Sequence, residues 1–347
     1  MFCRALCLAA GNWAQDSGVS VSALVLNDAS EPDARYVNGS FSHYAGASKS
    51  KITFVENFLR QVITNKYDWV VVGHVSLSPL ALVAKLFNPK TKIAVVTYGI
   101  EAWGPLGNTH RKVLRQAEVI LAISDYTKDE LTKHNDIPAE KIKIFPCTLD
   151  PHWNSVPQAK GLECAPPVIL SVNRMNKEDR YKGTDNVIRS LPIVLQKVGP
   201  VEYRVVGQGD DVPRLKALAT ALGVSHYVNF MGGITDEELR EQYRRCSLFI
   251  MPSRKEGFGI VFLEAMAYGK PVVGGAHGGT PSVVRDGETG LLVDNSDIDG
   301  IAGAIIRLLN DDEMRNSFGQ AGYQRLINEF TFKKFEQNFR EVFQSFA

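Results

Sequence analysis

The feature that most constrains this chain is a rhythm that runs through it twice. From residue 18 to about 146, short β-branched runs (Val19 to Leu26, Trp69 to Gly73, Ile93 to Val96, Val119 to Ile123, Ile142 to Phe145) alternate with helical patterns near 51 to 65, 78 to 87, 107 to 116 and 125 to 134. Such alternation predicts parallel βαβ units, because a parallel pair needs a crossover long enough to hold a helix. Between Pro146 and Pro167 the rhythm stops, and the further prolines at 151, 157 and 166 read as a hinge. It restarts with Val168 to Val172, Glu202 to Val206, Val228 to Met231, Leu248 to Met251, Val272 to Gly274 and Gly290 to Val293. Helical patterns near 183 to 198, 211 to 222, 235 to 245, 259 to 268 and 297 to 309 separate these runs.

The expected fold is α/β, with two Rossmann-like doubly wound domains facing across a cleft. They cover residues 1–150 and 168–329, with 151–167 as linker. Sheets of this kind take ligands at the carboxyl ends of their strands. The last stretch, 330–347, reads as one amphipathic helix with Phe332, Phe335, Phe339, Val342 and Phe343 at helical spacing, expected to pack back on the first domain.

Charge and cysteine content remove several function classes. Against 39 Lys+Arg stand 38 Asp+Glu, a net charge of +1, so no broad positive field marks a nucleic-acid partner. Cys3, Cys7, Cys147, Cys164 and Cys246 form no C-x-x-C pair, so neither a zinc site nor a disulfide framework is indicated and a reducing cytoplasm fits. The longest apolar stretch, Trp69 to Phe87, is broken by His74, Pro79 and Lys85 and reads as strand, turn and helix. The opening MFCRALCLAAG imitates a secretory leader, but its apolar part is shorter than the usual ~7–15 residues. Cytoplasmic localisation is expected, with peripheral membrane association open.

The most informative segment is S-R-K-E-G-F-G-I-V-F-L-E-A-M-A-Y-G-K-P-V-V, residues 253–273. Gly257 and Gly259 loosen the backbone before a helix of good formers, and Gly269 ends it. A glycine-rich helix entry suits an anion: the amides of Gly259, Ile260 and Val261 and the helix dipole favour a phosphate. Glu256 and Glu264 flank that turn, and carboxylates accept hydrogen bonds from sugar hydroxyls. A second constellation has Arg174 just past a strand and Lys182-Gly183 just before a helix. Two cations there can clamp a diphosphate. The intervening residues 176–180 read as a solvated loop.

In order along the chain stand R-x(7)-K-G (Arg174, Lys182, Gly183), V-x-G-x-G (Val205 to Gly209), E-G-F-G-x(4)-E (Glu256 to Glu264), G-G-x-P-x-V-V (Gly278 to Val284) and G-x-T-G-L-L-V (Gly287 to Val293). Together they resemble the retaining nucleotide-sugar glycosyltransferases of family 4, with the GT-B fold. The resemblance implies transfer of a sugar from a nucleotide-diphosphate sugar to an acceptor hydroxyl, in polysaccharide or glycolipid biosynthesis, with no cofactor. The acceptor is a saccharide, lipid-linked or small molecule. It implies that Arg174 and Lys182 hold the donor diphosphate and that Glu256 lies beside the donor sugar. Glu264 would hold the ribose hydroxyls, and Phe258, Gly259 and Ile260 would present backbone amides. Gly207 and the turn Phe230-Met231-Gly232 would wall the base pocket. Attack comes from the leaving-group side, so no protein nucleophile is named.

Departures accompany the resemblance. Ser282 stands where the family usually has an acid. Tyr98 stands where many relatives carry a histidine, with Glu101 nearby, and His74 follows a strand. These three are the acceptor-side candidates. Asp297-Ile298-Asp299 spells D-x-D, yet reads as a helix cap with a first-turn acid, and the other histidines show no metal spacing. Relatives open with a buried strand and Gly-rich loop, whereas residues 1–10 read as a helix with Phe2, Leu6 and Ala9 on one face. The first sheet is therefore expected to lack its first strand, the start lying upstream of Met1 or the product being impaired.

Three alternatives stand beside transfer. An acceptor-incompetent nucleotide-sugar-binding protein and a same-fold epimerase or phosphorylase are two. A dehydrogenase is the weakest, since Val212 replaces the third glycine of G-x-G-x-x-G.

Overall fold

A computed structural model describes residues 2–29, 33–37, 40–153 and 165–344. The chain divides into two compact units, Met1–Asn154 with Thr331–Ala347, and Ser155–Phe330. Most of the expected linker, 154–164, lies outside the described residues.

The first unit opens with α1 (Phe2–Ser17), then β1 (Val21–Val25), which pairs in parallel with β2 (Phe41–Gly46). There follow α2 (Lys51–Thr64), β3 (Trp69–Val72), α3 (Pro79–Phe87), β4 (Lys92–Thr97), α4 (Asn108–Gln116), β5 (Val119–Ala122), α5 (Asp125–Asn135) and β6 (Ile142–Ile144). Strands β3 to β6 form a four-stranded parallel sheet in chain order. Its inner strands β4 and β5 are buried almost throughout, as a parallel sheet covered on both faces requires. Ile93, Val95, Ile120, Val113, Leu114 and Leu131 share one core there.

The sheet of this unit is in two pieces. Among the described residues no backbone hydrogen bond joins β1 to β3, and all five residues of β1 stay half-buried. The two strands nevertheless share a floor: Leu24 of β1 and Val70 of β3 pack on Phe58 and Val62 of α2 and Ala84 of α3. The Tyr67 hydroxyl also reaches Ser22 Oγ at 3.2 Å. Strand β2 was not expected from sequence, because Ser42 and His43 break its apolar alternation. A Cβ at Gly46 would collide with the Ala29 carbonyl, so that position needs glycine.

In the second unit come β7 (Val168–Val172), α6 (Thr184–Val198), β8 (Glu202–Val206), α7 (Val212–Ala221), β9 (Val228–Gly232), α8 (Asp236–Arg245), β10 (Leu248–Met251), α9 (Ile260–Ala267), β11 (Val272–Gly275), β12 (Gly290–Val293), α10 (Ile298–Asn310) and α11 (Asp312–Glu329). One six-stranded parallel sheet runs β12-β11-β10-β7-β8-β9. Chain direction across the sheet reverses between β7 and β10, which are neighbours, so the loops leaving them lie side by side. Ile169, Leu248, Ile250, Val187, Leu191, Ile301 and Ile305 fill the core beneath α6 and α10. Residues 230–232, read as a turn, are the end of β9. Helix α11 goes unannounced in the sequence, because its buried face, Phe318, Gly319, Gly322 and Leu326, is half glycine; Asp311 caps it by accepting from the Met314 amide at 2.8 Å.

The last helix, α12 (Phe332–Gln344), belongs to the first unit. Its rings pack on α1: Phe335 stands edge-on to Phe2 at 5.3 Å and Phe339 edge-on to Trp13 at 5.8 Å, while Arg340 pairs with Asp16. Each such aromatic pair adds about 0.5–1.5 kcal/mol beyond the area it buries.

Candidate active site

The switch point of the second sheet is built from two loops. The one leaving β7 passes through Asn173 and Arg174 into a 3-10 helix, Lys177–Lys182, and ends at Gly183, whose φ of 80° is left-handed. A side chain there would press on Asn295 Nδ2 at 2.6 Å and the Pro252 ring at 2.9 Å, so glycine brings this loop against the next. That next loop leaves β10 at Met251 and enters α9 through Gly259, with φ of 93°. A Cβ at Gly259 would meet the Phe262 ring at 2.5 Å. Gly259 caps α9 with no side-chain hydrogen bond, so the helix entry keeps its first amides for another acceptor.

Lys182 and Glu256 meet where these loops touch. The Nζ of Lys182 donates to Glu256 Oε2 at 2.5 Å, and both side chains are largely buried. Arg174 is more open, 72% exposed, and its guanidinium rests on Asp179 Oδ1 at 3.1 Å. The Gly279 amide donates to the Glu256 carbonyl, which fixes the G-G-T-P segment beside that residue. Gly207, with φ of 131°, ends β8, and a Cβ there would collide with the Asn173 carbonyl, drawing the β8 loop against the β7 loop. Met231 lies in β9, half-buried. Phe258 is 2% exposed and edge-on to Phe330 at 5.6 Å, so only its backbone is available to a ligand. Ile260 is the first residue of α9, and Glu264 sits in its second turn, accepting from Tyr243. Asn173 Nδ2, Ser253 Oγ and Thr280 Oγ1 are buried around these loops with no hydrogen-bond partner among the described residues.

The acceptor-side candidates stand together in the first unit, at the carboxyl ends of β3 and β4. His74 caps a short 3-10 turn by accepting from the Ser76 amide at 3.1 Å, and its ring lies 5.8 Å from that of Tyr98. Tyr98 is within hydrogen-bond reach of Cys3 Sγ at 2.9 Å, and burial holds its phenol far above the ordinary value. Glu101 accepts from the Tyr98 amide at 2.5 Å, so its carboxylate also braces its own loop.

Three residues of consequence escaped the sequence reading. Asp179 lies in a stretch that reads as a solvated loop, yet it is 7% exposed and accepts from Arg174, Asn176 and the Tyr181 hydroxyl. The fourth residue of an apparently polar run is thus the partner that holds the first cation. Tyr181 lies next to Lys182, whose Nζ sits 5.4 Å above its ring. Tyr243 is the buried residue of α8, a helix otherwise charged except for Leu239 and Gln242, and that lone aromatic was the available signal. The D-x-D run does what its position suggests: Asp297 caps α10, accepting from the Gly300 amide at 2.8 Å. Among the described residues no cluster of three His, Cys, Asp or Glu could hold a metal ion.

Comparison with known proteins identifies the family and the fold. Residues 155–325 match the family described as Glycosyl transferases group 1, and residues 8–153 match Glycosyltransferase Family 4. Among curated relatives, a GDP-mannose-dependent alpha-(1-6)-phosphatidylinositol monomannoside mannosyltransferase of Mycolicibacterium smegmatis is 32% identical over 281 residues, 75% of this chain and 72% of its own. A D-inositol 3-phosphate glycosyltransferase of Corynebacterium diphtheriae is 27% identical over 248 residues, 67% of this chain and 57% of its own. Among solved structures, the sucrose-phosphate synthase of Thermosynechococcus elongatus superposes with a TM-score of 0.79 at 20% identity, covering 99% of this chain and 92% of that one. A glycosyltransferase from Rickettsia africae gives 0.78 at 16% identity, covering 99% and 93%. With parallel sheets in both units and five motifs in register, the chain belongs to the group 1 glycosyl transferases and has the GT-B fold.

Proposed function

We propose that this chain moves a hexosyl group, with mannosyl the first candidate, from a nucleoside-diphosphate sugar to a hydroxyl of a lipid-linked or saccharide acceptor. The reaction retains the anomeric configuration and needs no metal ion. The observation that carries this reading is the Lys182–Glu256 pair, 2.5 Å apart and largely buried, at the switch point of a parallel sheet beside an uncapped helix entry. Lys182, Arg174 and the α9 amides supply three sources of positive potential for a departing diphosphate, in the role that electrostatic preorganisation plays in many transferases. With those cations in place, a divalent ion at the same phosphates is redundant. Glu256, matched to Lys182, accepts from a hydroxyl of the donor sugar, and Glu264 accepts from the ribose. The acceptor attacks from the leaving-group side, with His74, Tyr98 and Glu101 as its candidate contacts, and no protein nucleophile takes part. Mannosyl ranks first because a relative 32% identical bears a GDP-mannose-dependent name.

The reading assigns the protein to the cytoplasm, with a lipid-linked acceptor met at a membrane surface. No described helix is long and apolar enough to cross a membrane.

One observation favours a second reading, a donor-binding protein without transfer: the sheet of the first unit is split between β1 and β3. A single experiment separates the two. GDP-mannose and UDP-glucose are offered with phosphatidylinositol monomannoside or D-inositol 3-phosphate in excess EDTA, and products are followed by mass spectrometry and NMR. Transfer in EDTA with the donor's anomeric configuration is the expected result. An inverted product, or activity abolished by EDTA and restored by Mn²⁺, contradicts the reading. Donor binding with no transfer to either acceptor favours the second.

A further inference from the structure

Tyr243 sits on α8, a helix whose other residues are charged, polar or part-exposed, and it is itself 0% exposed. Its hydroxyl donates to Glu264 Oε2 at 2.7 Å. Two rings pack on its own: Tyr268 lies parallel to it at 6.2 Å and Phe249 of β10 lies at 5.8 Å. Burial and the neighbouring carboxylate push the phenol well above its ordinary value, so it is protonated and able to donate at neutral pH. Here the short contact is to a carboxylate, and the Val261 carbonyl is only a marginal partner at 3.5 Å.

We propose that Tyr243 is a positioning residue: through its hydrogen bond it fixes the plane of the Glu264 carboxylate so that Glu264 can take the two ribose hydroxyls of the donor together. The inference rests on the reading of Glu264 given above. A carboxylate on a glutamate stem samples several rotamers, and a vicinal diol is bound well only by oxygens already set at the right spacing. The phenol bears that ordering before the donor arrives, which is where preorganisation gains affinity. A rotating carboxylate would still meet one hydroxyl, so the signature of this role is discrimination between ribose and deoxyribose, not affinity alone.

The test measures calorimetric Kd values for GDP, UDP and their 2′-deoxy forms with the wild type, Tyr243→Phe and Glu264→Gln. Removing only a hydroxyl leaves the ring packing in place, and a melting curve checks that Tyr243→Phe is folded. The wild type should prefer the ribonucleotide by about tenfold or more, the scale of a hydrogen bond to a charged group. Tyr243→Phe should lose most of that preference while binding the 2′-deoxy form as the wild type does. Equal weakening toward both forms, or an unchanged preference, overturns the positioning role. If Glu264→Gln keeps the full preference, or the wild type binds neither nucleotide, the reading of Glu264 fails instead, and the proposal falls with it.

Discussion

The guanidinium of Arg174 is held by Asp179, Nη2 to Oδ1 at 3.1 Å, and this carboxylate is among the few acidic side chains the second unit buries. Asn176 and Tyr181 complete its coordination, so the whole turn from β7 to α6 is organised around one anion. On the proposed function its task would be to aim that arginine: a 72% exposed guanidinium would otherwise spread over many rotamers, and a charge that stabilises a leaving group must be in place beforehand. Asp179→Asn should therefore lower kcat/KM for the donor by about tenfold or more, the loss expected when one charge-assisted hydrogen bond goes. The fold should be kept. Unaltered donor kinetics in a folded variant would show that Arg174 is not aimed by Asp179.

Asp211 makes a pH prediction. Its side chain is 4% exposed and binds Arg214 and Arg180, and the Arg214 hydrogen bonds, with those of Arg180, hold its carboxyl below the ordinary 3.8. A depressed carboxyl contributes stability that is complete above its unfolded value and is lost as pH falls through the folded one. Asp211→Asn should melt roughly 5 °C below the wild type at neutral pH, taking ~2–4 °C per kcal/mol for a domain of this size. That gap should stay level from pH 8 to 5 and close below about pH 4. A gap that instead grows on acidification contradicts the assignment.

The split sheet of the first unit should be visible in hydrogen exchange. Amides of β4 and β5 lie between hydrogen-bonded neighbours in a buried core, whereas β1 has one paired edge and half-exposed residues. Exchange from Val21–Val25 should run at least about a hundredfold faster than from Ile93–Val96, since local opening energies range from near zero up to the global value. Equal protection in the two strands would mean that β1 is covered in solution as β4 is.

What the sequence made legible, and what it hid, divides along physical lines. Strands β7, β10 and β12 were readable to the residue because a parallel strand buried on both faces is a largely apolar run, and β8 because buried Tyr203 and Val205 alternate with half-buried Glu202 and Arg204. Strand β2 was hidden because its half-exposed position tolerates Ser42 and His43, and α11 because half of its buried face, Phe318, Gly319, Gly322 and Leu326, is glycine and leaves little apolar stripe to read. Arg174, Lys182, Glu256 and Glu264 stood out through residue type and spacing. The residues that aim them did not. Asp179 looked like one more loop acid because only the folded turn shows that it is buried and gathers Arg174, Asn176 and Tyr181, and Tyr243 like one more helix residue because its partner, Glu264, lies on another helix. The helical reading of residues 1–10 agrees with α1, and the two-piece sheet is what the rest of that unit shows.

The central claim is that Arg174 and Lys182 carry the charge of the departing diphosphate. Its most direct test is the single-turnover rate of sugar transfer, at saturating donor, for Lys182→Ala and for Arg174→Ala, each checked for folding. The account predicts that each falls by about two orders of magnitude or more, the cost of removing one preorganised charge-stabilising group, with donor affinity changed far less. A wild-type rate in both folded variants would contradict it.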